Sequence, residues 1–162
     1  MQVPLLQTDR LLLRPISILD LDDLLPFSYF DGKPVTTRDG IIDKLSRIEK
    51  EIAAGNSLHW GMALKSSNQV IGAAGFYRGF PGKTGEIGYA QNPAFERQGF
   101  MREAVAEIVK YGFAGLNLDH VIAYTSESNP ASIKVLLHND FLETVSDIEV
   151  YKKFIISRQP AF

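Results

Sequence analysis

The sequence predicts an α+β fold, a mixed and mostly antiparallel sheet of about seven strands with helices on both faces. Three observations carry this expectation. Strand-like runs outnumber helical ones. Three of them, 58–64, 70–77 and 84–90, follow one another through short turns, as antiparallel neighbours do. No internal repeat, low-complexity tract or linker interrupts the order β-α-α-β-β-β-α-β-α-β-β, so the 162 residues read as one domain, 1–162.

Each element has a local cause. Leu11-Leu12-Leu13-Arg14-Pro15 reads as a buried strand closed by a proline. Ser17 followed by Asp20 forms a capping-box pattern. The helix it opens buries Leu21, Leu24 and Leu25 and stops near Pro26. Residues 27–35 carry Gly32 and Pro34 and read as a loop, in which Tyr29 and Phe30 lack a periodic partner. Thr36 or Thr37 caps the next helix; Ile41, Ile42, Leu45, Ile48 and Ile52 recur at helical spacing, and Gly55 ends it. Ser66-Ser67-Asn68 reads as a turn between the first two of the consecutive strands. The long helix after Gly99 aligns Met101, Ala104, Val105, Ile108, Val109 and Phe113 on one stripe. A strand over 118–124, a helix over 129–139 with Ile133, Leu136 and Leu137 inward, and strands over 141–145 and 150–156 complete the chain.

Composition narrows the function classes. Hydrophobic residues make up 45% and charged residues 22%, the values of a globular protein, and this length buries roughly two-thirds of the unfolded surface. Lys+Arg 17 against Asp+Glu 19 gives a net charge of −2, which argues against a broad nucleic-acid surface. Without cysteine there is no disulfide, thiolate metal site or cysteine nucleophile. The opening Met1-Gln2-Val3-Pro4-Leu5 lacks the charged and apolar regions of a secretory signal. No apolar run approaches the ~20 residues that span a bilayer. The expected setting is cytoplasmic, with no membrane partner; monomer and homodimer remain open.

The most chemical stretch is 84–113. A strand, Glu86-Ile87-Gly88-Tyr89-Ala90, feeds a glycine-bearing loop that opens directly into a helix. The first N–H groups of such a helix converge without partners, and its dipole adds positive charge, so Gln98 to Met101 form an expected phosphate site. Other motifs carry less. Gly82-Lys83-Thr84 resembles the end of a P-loop, but the position of the first glycine is Tyr77 and a strand follows the threonine. His59, His120 and His138 share no metal-ligand spacing, and packing or surface roles suit them better; no metal is expected. There is no Gly-x-Ser-x-Gly nucleophile elbow.

Several segments then agree in order and spacing with one family. They are Leu6-Gln7-Thr8-Asp9-Arg10-Leu11-Leu12-Leu13-Arg14-Pro15, Val70-Ile71-Gly72 with Gly75-Phe76, Glu86-Ile87-Gly88-Tyr89, Gly99-Phe100-Met101 with Glu103-Ala104, and Asn129-Pro130-Ala131-Ser132 with Val135-Leu136 and Phe141. Over nearly its whole length the chain resembles the GNAT superfamily of N-acetyltransferases, and within it the branch of the ribosomal-protein alanine N-acetyltransferases. The chain departs from the family pattern at four places. Glu96 and Met101 stand at the first and last positions of the acyl-CoA loop, Arg97 at an often-glycine position, and Asp140 where a glycine usually precedes the aromatic Phe141.

The resemblance implies a three-layer α/β/α acyltransferase domain with acetyl-CoA as cosubstrate. It places the pyrophosphate on the N–H groups of Gln98, Gly99, Phe100 and Met101. Arg97 and Arg102 are then phosphate partners, or simply a solvated helix face. Tyr89, Ala90 and Gln91 would pair with the pantetheine arm as if it were an added strand, and Asn129, also a natural N-cap, would hydrogen-bond it. The implied reaction is direct acetyl transfer to an amine acceptor, a protein N-terminus or a small molecule. Glu86 is the candidate base, because a carboxylate on a central strand is costly to bury unless paired or functional. A main-chain N–H near Ala90 or Gln91 would steady the oxyanion. Ser132 is the candidate for the mild acid that the departing thiolate needs, and Leu136 stands where many relatives carry a tyrosine. Tyr29, Phe30, Trp60 and Phe76 are the candidate acceptor-pocket residues. The competing expectation is a non-catalytic acyl-CoA-binding module of the same fold.

Overall fold

The computed structural model describes residues 1–160. Its centre is an eight-stranded sheet built from β1 (Leu6–Gln7), β2 (Leu11–Arg14), β5 (Leu58–Leu64), β6 (Val70–Tyr77), β7 (Thr84–Gln91), β8 (His120–Thr125), β9 (Leu142–Thr144) and β10 (Lys152–Ser157). The spatial order is β1-β2-β5-β6-β7-β8-β10-β9. Every neighbouring pair is antiparallel except β7 and β8, which run parallel. The sheet is therefore mixed and mostly antiparallel, as expected, with one strand more than anticipated because Leu6–Gln7 pairs with Leu12–Leu13.

A separate small hairpin joins β3 (Tyr29–Phe30) to β4 (Lys33–Pro34) in the stretch expected to be a loop. Its turn is Asp31-Gly32, with φ of 49° and 73°, the left-handed pair that a two-residue hairpin needs.

Two helices lie on each face. On one face, α1 (Leu21–Leu24) and α2 (Arg38–Ala53) pack with Phe27, Ala63, Val70 and Ala73. The capping box closes α1's approach: Ser17 accepts from the Leu19 N–H, and the Asp20 carboxylate accepts from the Ser17 N–H at 2.8 Å. Pro26 does not end the helical path sharply but sits in a following 3-10 turn, Leu25–Phe27. Thr37 caps α2 by accepting from Gly40 N–H at 3.1 Å.

On the other face, α3 (Phe100–Ala114) and α4 (Pro130–His138) cover the larger core of Trp60, Phe76, Ile108, Leu136, Phe141 and Phe154. Each such side chain, fully buried, contributes about 1.5–3 kcal/mol. Leu137 departs from expectation: it is exposed, because on the short α4 the inward stripe runs through Ile133 and Leu136. Among the described residues no helix is long and apolar enough to cross a membrane.

Candidate active site

The parallel pair fixes the site. β7 and β8 are joined only from Thr84–His120 to Glu86–Ile122. β7 then continues to Gln91 with β6 on one side and no strand on the other. The sheet is open between the later halves of β7 and β8, and the helices that follow these strands, α3 and α4, begin at that opening. A short 3-10 turn, Pro93–Phe95, carries β7 into the loop before α3, and the Gln91 side chain pins it by donating to Phe95 O at 2.9 Å.

The loop itself is an array of bare amides. Arg97 and Gly99 both adopt left-handed backbone, φ 60° and 81°. Gly99 is the N-cap of α3, and the first main-chain N–H to return to it is that of Glu103, at 3.1 Å. Among the described residues the N–H groups from Arg97 to Arg102 find no acceptor. They crown the positive end of a fifteen-residue helix, where an anion is stabilised by both direct donors and the dipole. Arg97, Gln98 and Gly99 are exposed, whereas the side chains of Phe100 and Met101 turn into the core. Arg102 is exposed, and neither it nor Arg97 forms an ion pair among the described residues. Glu96 is exposed too.

Arg10, to which the sequence reading gave no site role, braces this loop. Its Nη2 donates to Gln98 O at 2.9 Å, its Nε pairs with Glu103 Oε2 at 2.9 Å, and its guanidinium lies 4.0 Å over the Phe100 ring. Thr8 adds a hydroxyl contact to the same carboxylate. Burial would raise the Glu103 carboxyl, but the bonds from Thr8 and Arg10 outweigh it and hold the group below its ordinary range. The only sequence sign was that Thr8-Asp9-Arg10 and Glu103 fell in segments of the same family pattern; their 93-residue separation hid the contact.

On the face of β7 covered by α1 and α2 lies a cavity of about 720 Å³, lined by Tyr29, Phe30, Lys44, His59, Tyr77 and Glu86 among others. Glu86 sits opposite Tyr77 in the register of β6 and β7, and its carboxylate pairs with Arg78. Burial, then the nearby Lys44 charge, drives His59 down to about 3, so its ring is neutral at neutral pH. Burial alone raises the Tyr77 phenol and lowers the Lys44 ammonium.

Of the four candidate acceptor-pocket residues, Tyr29 and Phe30 line this cavity. Trp60 and Phe76 do not. Both are fully buried against α3, with Trp60 5.7 Å from the Tyr111 ring and 6.4 Å from Phe76. Successive strand residues face opposite sides, so the cavity receives their neighbours, His59 on β5 and Tyr77 on β6.

Tyr89, by the same alternation, belongs to the α4 side. Its hydroxyl lies 2.9 Å from Ser132 Oγ and donates to Ser132 O at 3.2 Å, across the opening. Burial pushes the Tyr89 phenol up to about 12, with the Ser132 bond opposing. Asn129 caps α4, its Oδ1 accepting from Ser132 N–H at 3.2 Å, which leaves its amide Nδ2 without a partner among the described residues. Ala90 lines the cavity, and Leu136 is fully buried.

A model of the acetyltransferase (GNAT) domain matches residues 10–142. The chain belongs to the GNAT family of acetyltransferases. It is 31% identical over 149 residues, 85% of this chain and 82% of the relative, to the uncharacterized N-acetyltransferase YoaA of Bacillus subtilis. Two solved structures share the fold. RimJ of Mycobacterium smegmatis in complex with CoA-disulfide superposes with a TM-score of 0.78 at 19% identity, covering 96% of this chain and 86% of that one. The ribosomal-protein-S5-alanine acetyltransferase of Vibrio fischeri gives 0.75 at 18%, covering 95% and 96%. GNAT members use acetyl-CoA as donor. The residues here suit that cosubstrate: bare amides for a diphosphate, an open strand edge for an extended amide arm, and a Gly99 whose added Cβ would meet only Arg10 Nη2, at 3.4 Å.

Proposed function

We propose that the chain transfers an acetyl group from acetyl-CoA directly to a primary amine, on a protein N-terminus or a small molecule. The observation that carries this reading is continuity. The free amides of Gln98 to Arg102 lead to the unpaired edge of β7, and that edge borders the cavity holding Glu86.

Acetyl-CoA supplies an acyl thioester already activated for attack. Gln98, Gly99, Phe100 and Met101 offer N–H donors to its phosphates, with Arg97 and Arg102 beside them. Tyr89, Ala90 and Gln91 present the strand edge, and Asn129 Nδ2, at the start of α4, is a free donor for the arm. Glu86 takes the proton of the acceptor ammonium, directly or through one water, because only the neutral amine is a nucleophile. A main-chain N–H at Ala90 or Gln91 donates to the carbonyl oxygen as it gains charge. The departing thiolate needs a proton. A phenol that titrates near 12 stays protonated at neutral pH, so Tyr89 and Ser132 together form a donor pair where the usual tyrosine is replaced by Leu136.

Calorimetry with CoA and a thiol-release assay with mixed amines test the reading. Because the chain has no cysteine, every thiol detected is the product's. Heat on CoA addition and amine-dependent thiol release are expected; CoA binding with no transfer to any amine would leave a binding module. Glu86→Gln should lower turnover on the order of 10²–10⁴-fold with CoA affinity intact. Unchanged turnover across pH would remove Glu86 from the base role.

A further inference from the structure

The cavity beside Glu86 has an electrostatic bias that acetyl transfer as such does not require. Its wall includes Lys44, Arg47, Lys50 and Arg78 against Asp31, Glu51 and Glu86. Arg78 and Glu86 neutralise each other. Glu51 accepts from the Asn56 side chain at 3.2 Å but keeps its charge, and with Asp31 it leaves the wall one positive charge in excess. His59 is neutral. Lys44 is half-buried and has no ion pair or hydrogen-bond acceptor among the described residues.

An ammonium partly withdrawn from water without a partner costs free energy, which an incoming anion would offset. Arg47 is one helical turn from Lys44 on α2, so the two cations share a face, and Arg47 stacks 4.7 Å over the Phe30 ring at the cavity rim. Its guanidinium also has no ion pair among the described residues. The sheet side of this cavity holds the open edge of β7, where the acyl group would be presented; the α2 side holds the two cations.

We propose that the acceptor is an amine that also carries a carboxylate, and that Lys44 and Arg47 on α2 bind that carboxylate. This rests on the acetyltransferase reading of the same site and names its substrate class. A second consequence follows from the same charges. Positive potential in the cavity disfavours a polycationic acceptor, and it lowers the pKa of the bound amine, which raises the fraction present as the neutral nucleophile.

The test pairs acceptors that differ only in charge. Alanine is compared with alaninamide, and a peptide amide beginning with Glu is compared with one beginning with Gln; spermidine serves as the polycation. The two pairs separate a free amino acid from an acidic peptide N-terminus as the source of the carboxylate. In at least one pair the carboxylate member should exceed the neutral one by about tenfold or more in kcat/KM, through KM, with spermidine poorest. Lys44→Ala should collapse that ratio to about one, and Lys44→Arg should retain it.

Glutarate binding, followed by NMR or calorimetry, gives a readout independent of turnover, and it should weaken about tenfold or more in Lys44→Ala. Equal use of neutral amines or spermidine, or a ratio untouched by Lys44→Ala, overturns the proposal. Transfer without carboxylate preference sinks this proposal alone. Lys44-dependent glutarate binding without transfer to any amine supports the anion site and sinks the transferase reading instead.

Discussion

Gly99 shows how much one backbone conformation decides. Its φ of 81° lets the chain turn into α3 with six successive amides left without an acceptor among the described residues. A Cβ there meets no backbone, only the end of Arg10, so Gly99→Glu should fold at a cost of about 1–2 kcal/mol for the left-handed conformation. The same substitution places a carboxylate in the anion site, and calorimetry should then register no heat for CoA. Full-strength CoA binding by the folded variant would mean the loop is not the phosphate site. Asp140 poses the opposite case. It holds φ 63° after α4, where Phe141 N–H closes back on Leu136 O at 3.1 Å. The left-handed turn expected of a glycine position has formed on an aspartate. Asp140→Gly should raise stability by about 0.5 kcal/mol, relief of backbone strain partly offset by the more flexible unfolded chain, and a denaturant midpoint measures it. Identity at single positions was legible where backbone geometry dictated it. It was not legible for Trp60 and Phe76, because a strand's parity relative to the cavity is set by its partners rather than by its own sequence.

At the scale of elements, boundary signals were read well and contacts across the sheet were not. The capping box, the Thr37 cap and the turn at Asn68 with φ 62° formed as their residue types required. The hairpin at Asp31-Gly32 had a strong turn signal, yet its strands are two residues each, too short for alternation to show. The capping box also has an electrostatic side that only the fold reveals. Arg14 of β2 grips the largely buried Asp20 with two bonds, 2.9 and 2.8 Å. Burial pushes the Asp20 carboxyl up, but the bonds from Arg14 and Ser17 outweigh it and hold the group below its ordinary range. A depressed folded pKa means the stabilisation is complete above the unfolded value, about 3.9, and is lost as pH falls through the folded one. Asp20→Asn should therefore cost about 2 kcal/mol at pH 7 and progressively less in acid, where wild type and variant converge. Parallel denaturation curves at pH 7 and pH 3 measure this; a constant gap between them would show that the carboxylate charge does no work.

The whole molecule joins these elements around an unfinished part of its sheet. The strand–glycine–helix junction at Gly99 was legible because its three parts are contiguous in sequence. The cavity was only half legible, since His59, Lys44 and Glu86 come from separate elements and acquire meaning only when α2 lies over β5 to β7. Arg10 was illegible as a site residue for the same reason. The opening beyond Glu86 leaves β8 and α4 joined to the rest of β7 by side chains such as Tyr89 and Ser132 rather than by a ladder. A ligand that completes that edge binds the folded chain and not the unfolded one, so it should stabilise by mass action. At a hundredfold excess over Kd, CoA should add about 2.7 kcal/mol, which for a chain of this size raises Tm by roughly 5–10 °C. The shift should grow with the logarithm of CoA concentration and vanish in Gly99→Glu. Scanning calorimetry across a CoA titration checks both, and a Tm that stays flat in the wild type would sever the link between the open strand edge and the cosubstrate.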